Sequence, residues 1–322
     1  ASGNALAGSQ SLTPEGTVLT FRPDAILADS ATYSLTVSAA VQDLAGNPLT
    51  EVFRARFTTV DVTPPTLPPA GQISVTIPDA TGFCTVSGTQ GTVQPDWVVI
   101  VKNRTTNALT SVLPNADGSF SLNVAASPAD KLDLILQDAA GNQVTTPLPR
   151  YRNPDGTVVV GEEGGPVDGP GGKVVDIPAN ALPPGTLVKV GSVAEGDLPQ
   201  PAPPGYPFLG GVDLQMSNDA SKPLVVSIPA PADADPNDIV IVAKHVTWPR
   251  GQGWMMVEQA FLDNGKYTTA SPASASSKVP GLAKMVFQAA GTGIDGITAS
   301  GEYAFMRVNG DCVTLVKVTY SL

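Results

Sequence analysis

Residues 31–60 read ATYSLTVSAAVQDLAGNPLTEVFRARFTTV, and the order of side chains in that stretch decides the kind of fold. Tyr33, Leu35 and Val37 alternate with Thr32, Ser34 and Thr36, and Phe53, Ala55 and Phe57 alternate with Arg54, Arg56 and Thr58. A period of two suits strands with one face covered and the other wet. Between the two runs lies Asp43-Leu44-Ala45-Gly46-Asn47. Asp caps a turn through its side chain, while Gly and Asn tolerate the positive φ of a chain reversal. The stretch predicts strand, turn, strand.

The same pattern returns in LQDAAGNQVT (136–145), which starts 95 residues after VQDLAGNPLT (41–50). Each copy follows an alternating strand and precedes an extended segment. The pair therefore reads as a turn that counts modules, not as a ligand site used twice.

Composition supports an all-β chain. With 322 residues it suits two or three domains, and 42% hydrophobic residues suffice to bury cores. Its 32 Gly and 31 Pro break helices and punctuate short strands. No apolar run approaches the ~20 residues of a membrane helix, so no membrane insertion is expected. A net charge of −11, with 18 Lys and Arg spread thinly, repels a phosphate backbone and excludes nucleic acid as a partner. Low charge content with acidic excess, little Lys and much Thr, Ser and Gly suits a secreted protein of the cell surface.

Alternation also outlines the modules. Strands are predicted at 16–23, 31–41 and 53–60. DVTPPTLPPAG (61–71) follows, with Pro64, Pro65, Pro68 and Pro69 making a stiff, extended linker. Further strands are predicted at 72–78, 83–89, 96–103, 118–125 and 131–138, closed by NQVTTPL (142–148), with an Asp-Gly hairpin turn at 117–118. From residue 151 a longer series follows, at 157–160, 172–177, 186–193, 212–217, 223–230, 238–248, 253–263, 283–290 and 301–308. The expected architecture is tandem small β-sandwiches plus a larger C-terminal β-sandwich. A first module spans 1–62, a linker 63–71, a second module 72–150, the larger sandwich 151–309 and a strand-like tail 310–322.

LTFRPDAILADSATYSLTVSAAVQDLAGNPLTEVFRARFTTVD (19–61) resembles the later two-thirds of a bacterial Ig-like domain of the S-layer and surface-adhesin type. That family begins with two further strands, the second alternating Thr and Val. The tail VTLVKVTYSL (313–322) is similar to that strand. It is read either as the start of a following domain or as a strand donated to a neighbour's first module. Residues 72–150 resemble a generic bacterial Ig-like repeat. The two resemblances imply tandem Ig-like β-sandwiches, with an incomplete Ig-like domain at 1–62 and an Ig-like domain at 72–150. GGKVVDIPANALPPGTLVKV (171–190) resembles the sandwich of zonula-occludens and netrin-receptor proteins, an interaction module whose likeness implies no chemistry.

Catalytic constellations are sparse. The chain has one histidine, His245, which excludes a His-rich metal site. His245-Val246-Thr247 resembles the tripeptide of self-cleaving relatives of that sandwich, with Thr247 as nucleophile. Here it sits mid-domain, and a strand-borne imidazole is the simpler reading. Glu162, Glu163 and Asp168 cluster in GEEGGPVDGPGG (161–172), read as a solvated loop; no Lys-Ser/Thr follows to make a phosphate cradle. Calcium is the ligand to weigh, through Asp43, Asp61, Asp138 or ADADPND (232–238), although none shows the spacing of a calcium loop. No other cofactor is expected. Trp97, Trp248 and Trp254 are read as packing residues, with Trp254 and Met256 on one face of their strand and Met255 and Val257 on the other.

These readings point to a non-enzymatic structural subunit of an extracellular bacterial surface layer or filament. Its partners would be copies of itself or neighbouring surface proteins. The assembly strand would carry Val313, Leu315, Lys317, Thr319 and Tyr320, and an intermolecular disulfide would join Cys84 to Cys312. The competing reading is a fragment of a long adhesin that binds host or glycan surfaces.

Overall fold

The computed structural model describes residues 5–43, 45–249, 251–269 and 296–309, the side chain of Trp248 excepted. Strands and turns make up nearly all of them, with two single-turn 3-10 segments at Pro170–Gly172 and Glu195–Asp197. The protein is all-β, as its sequence predicts. The expected strand at 283–290 and the tail at 310–322 lie outside the described residues.

The first module holds two separate ribbons. Strands β1 (Gly8–Leu12) and β2 (Leu19–Pro23) pair with each other, as do β3 (Thr32–Val37) and β4 (Phe53–Thr58), all antiparallel.

The second module is a sandwich of two sheets. One has the order β5-β6-β9, from Ile73–Val75, Phe83–Gly88 and Phe120–Ala125. The other has the order β11-β10-β7-β8, from Gln143–Pro147, Leu132–Gln137, Val98–Asn103 and Leu109–Val112. Alternate residues of both inner faces (Cys84, Val86, Val99, Val101, Leu122, Val124, Leu134, Leu136) form its core. Asn103 sits fully buried among them. Its amide donates to Ala125 O and Asp130 Oδ2, and its Oδ1 accepts from Thr105 N and Thr106 N, so no polar atom is orphaned.

The Asp-Gly turn differs from expectation. Gly118 has φ +78°, and a Cβ there would lie 2.2 Å from Val93 O, so glycine is required. The turn does not close a hairpin, however: β8 before it belongs to one sheet and β9 after it to the other. It carries the chain across the sandwich. The hairpin is β7–β8, reversed through Asn107 at φ +60°.

The third unit is a ten-stranded antiparallel sheet in the order β12-β15-β16-β21-β18-β19-β20-β17-β14-β13. Its strands are β12 (Val158–Val160), β13 (Gly165–Asp168), β14 (Val174–Ile177), β15 (Thr186–Val193), β16 (Phe208–Met216), β17 (Val225–Pro229), β18 (Val240–Trp248), β19 (Gly251–Asp263), β20 (Lys266–Thr269) and β21 (Gly301–Arg307). Val158 and Val160 at one end share a core cluster with Val167 at the other, so the sheet folds round on itself. The predicted solvated loop holding Glu162, Glu163 and Asp168 is corrected in part: the three carboxylates are exposed as expected, but Gly165–Asp168 pairs with β14 as an edge strand. A single valine among glycines gives no periodicity to read; long-range pairing recruits it.

Candidate functional site

The first module is the least ordinary part of the molecule. Among the described residues from 5 to 64, no side chain is buried; Pro65 is the first that is. Yet its ribbons have well-formed apolar faces. The register of β3 and β4 sets Tyr33 opposite Phe57, Leu35 opposite Ala55 and Val37 opposite Phe53. Thr32, Ser34, Thr36, Arg54, Arg56 and Thr58 occupy the other face. The rings of Tyr33 and Phe57 stack at 5.6 Å between centroids. Leu35, Phe53 and Phe57 nonetheless remain 46%, 54% and 50% exposed. On the second ribbon Leu12 pairs with Leu19, and Phe21 shares their face. A two-stranded ribbon is marginal in water, and among the described residues each of these presents unpaired backbone edges beside an open apolar face. The arrangement can accept a strand.

The linker that leaves this module is held from both sides. Asp29 accepts Val62 N at 2.9 Å and Thr63 Oγ1 at 2.5 Å. The Thr63 hydroxyl, with the Val62 N–H, holds the Asp29 carboxyl below its usual range. From the second module, Asn142 Nδ2 donates to Asp61 O at 3.2 Å.

Both Asp-x-Ala-Gly-Asn sequences form the expected turn. Asp43 Oδ1 accepts from Ala45 N and Asn47 N, and Asp138 Oδ1 from Ala140 N and Asn142 N. Gly46 and Gly141 supply positive φ, at +87° and +92°. The asparagines have another role: each Nδ2 donates to the second carboxylate oxygen of its Asp at 2.9 Å. Both Asp carboxyls are held below their usual range. At Asp43 the Asn47 amide is the main cause. At Asp138 partial burial opposes the Asn142 side chain and the turn's N–H groups, which prevail.

The other acidic positions also serve protein donors. Asp61 Oδ1 accepts Thr63 N at 3.1 Å. In the 232–238 loop, Arg307 pairs with Asp233 at 2.9 Å and Asp238 at 3.2 Å, while Asp235 Oδ1 caps Asn237 N. Among the described residues, no three His, Cys, Asp or Glu side chains gather as a cation-binding group.

Cys84 lies on β6, only 1% exposed. Burial pushes its thiol up to about 11. A disulfide to a neighbouring molecule from this position requires opening the core, and Cys312 lies outside the described residues. So do Val313, Leu315, Lys317, Thr319 and Tyr320.

His245 and Thr247 stand in the regular β18–β19 ladder, opposite Trp254 and Gln252. The His245 and Trp254 rings meet edge to face at 5.5 Å, and Trp254 Nε1 donates to Pro201 O at 3.3 Å. The Val246–Thr247 peptide shows no positive φ that would mark strain.

Two features escaped the sequence. The first is Glu258. The β18–β19 register slips between Val242 and Ala243, which pair with Glu258 and Met256 and leave Val257 as the extra residue of a bulge. The bulge turns Glu258 inward beside Val240, Val242 and Ala260, where it is 2% exposed and its carboxyl is pushed up to about 7 by burial. The second is the seam between the second module and the large sheet. There Glu163 lies 3.5 Å from Lys131 and 4.0 Å from Arg150, beside a concavity of about 190 Å³. Tyr151 packs into the second module's core and donates to Asp130 O at 3.0 Å.

The geometry defines an all-β, multi-module protein whose first module buries no side chain among its described residues. A family model of the bacterial Ig-like domain matches residues 1–59. No curated relative matches the chain. Among solved structures, the chain is similar to one described as "host cell surface retention of a 1.5-MDa bacterial ice-binding adhesin", at 13% identity, covering 65% of this chain and 87% of that one. With a TM-score of 0.20, that likeness carries no functional argument.

Proposed function

We propose that this protein is a non-enzymatic structural subunit of an extracellular bacterial surface layer or filament, joined head to tail by strand complementation. The strand 313–320 of one molecule enters the first module of the next. The observation that carries this reading is the first module itself, whose described strands bury no side chain while Leu12, Leu19, Leu35, Phe53 and Phe57 remain exposed. An added strand would satisfy the free backbone groups at a ribbon edge and cover the apolar face. As a strand, the sequence 316–320 would place Val316, Val318 and Tyr320 on one face and Lys317 and Thr319 on the other, the alternation a half-buried strand needs. A contact between two different surfaces does not close on itself and yields a fibre. The match of residues 1–59 to bacterial Ig-like domains supports the surface location.

Deleting residues 310–322 tests it. Sedimentation of the intact chain should show concentration-dependent assembly, and the deletion should leave monomers. Assembly that survives the deletion sinks the proposal.

A further inference from the structure

One of the two Asp-x-Ala-Gly-Asn turns is occupied. The Asn142 amide has two hydrogens; one goes to Asp138 Oδ2 and the other to the main-chain carbonyl of Asp61. Asp61 belongs to the segment by which the chain leaves the preceding module after β4, a segment that Asp29 fixes on its own side. The turn at 43–47 has the same internal bonds: Asp43 to Ala45 N, Asn47 N and Asn47 Nδ2, each at 2.9 Å. Asn47 is exposed, and its second amide hydrogen has no partner among the described residues.

We propose that this turn is a docking surface for the segment leaving a neighbouring module. Asn142 docks Asp61 within the chain. Asn47 docks a main-chain carbonyl of residues 308–312 of a second copy. That occupant rests on the assembly reading above, in which the segment arriving at the first module is the one that leaves β21 of the neighbour. It stands in the same relation to β21 as Asp61 does to β4. The partner is recognised through backbone rather than side chain, so the turn fixes the order and spacing of modules without demanding a particular linker sequence.

Two measurements on the full chain test this, with Asn142→Ala and Asn47→Ala compared side by side. Both variants lose the same bond inside their turn, so each controls for weakening of the turn. Thermolysin cleavage of the native chain at Asp61–Val62 should be several-fold faster in Asn142→Ala and unchanged in Asn47→Ala. Equal rates in both variants and the parent overturn the Asn142 contact. Self-association, read by sedimentation, should weaken about fivefold in Asn47→Ala, the effect of one lost hydrogen bond, and not in Asn142→Ala. If deleting 310–322 abolishes assembly while Asn47→Ala leaves it unchanged, the Asn47 contact falls and the assembly reading stands. If the intact chain does not assemble, or the deletion has no effect, both fall, and the cleavage rates still decide the Asn142 half.

Discussion

Replacing Glu258 with Gln should stabilise the large sheet at neutral pH and remove its pH dependence between about 4.5 and 7. The bulge at Val257 places this carboxyl in an apolar core, where Gln259 N is its described hydrogen-bond donor, at 3.0 Å. Burial raises its pKa from 4.5 to about 7. A raised carboxyl pKa means that the folded state holds its proton more tightly than the unfolded chain. Below pH 4.5 both states are protonated and nothing is lost. As pH rises from there the unfolded chain ionises first, and stability falls until the folded group ionises near pH 7. At about 1.4 kcal/mol per pKa unit, the loss is about 3 kcal/mol and stays constant above pH 7. The depressed aspartates Asp29, Asp43, Asp138 and Asp233 act in the opposite sense. Their stabilisation is lost only as pH falls through their own low pKa values, below this window. Gln keeps an oxygen for Gln259 N and cannot ionise. Urea unfolding in a Trp97→Phe background, where fluorescence reports on Trp248 and Trp254, should show a parent midpoint that falls between pH 5 and 7.5. The Glu258→Gln midpoint should stay flat and lie above the parent at pH 8. Parallel profiles for the two proteins, or a parent midpoint that rises with pH, would refute the burial argument.

Other outcomes follow from the same geometry. Phe57→Asp places a charge on an apolar face that is already half exposed, so the thermal transitions of the other modules should not move while assembly is lost. Cys84, with its thiol pushed up to about 11 inside a core, should resist iodoacetamide at pH 8 in the native chain and react fully in urea, as read by mass spectrometry. Leu134→Ala removes a fully buried side chain from the second module and should cost about 2–5 kcal/mol in that module's unfolding. Gly118→Ala should lower the same transition, because its Cβ would meet Val93 O; an unchanged midpoint would contradict the crossover geometry.

Much of the strand pattern was legible because a period of two is written in the chain itself. Tyr33-Leu35-Val37 against Phe53-Ala55-Phe57, or Leu132-Leu134-Leu136 on β10, announce a strand and its inner face before any partner is known. The turn role of Asp-x-Ala-Gly-Asn was equally local, since its bonds close within five residues. β1, β8, β13 and β20 were missed for the converse reason. Gly165–Asp168 and Leu109–Val112 are short, with little alternation, and they become strands only because β14 and β7 offer them free backbone groups.

What the sequence determined by itself was the all-β class, most strand positions and the turns, because these depend on side-chain parity and backbone preference within a few residues. Tertiary structure alone decided which strands share a sheet, sending the Asp117-Gly118 turn across the sandwich instead of into a hairpin. It alone placed Asn142 against Asp61, 81 residues away in sequence. The bulge at Val257 shows the reason most plainly. Strand parity flips with a single inserted residue, and whether one is inserted depends on register with a partner strand. Met256 and Glu258 share a face in the sequence pattern; after the bulge, Glu258 lies in the core beside Val242.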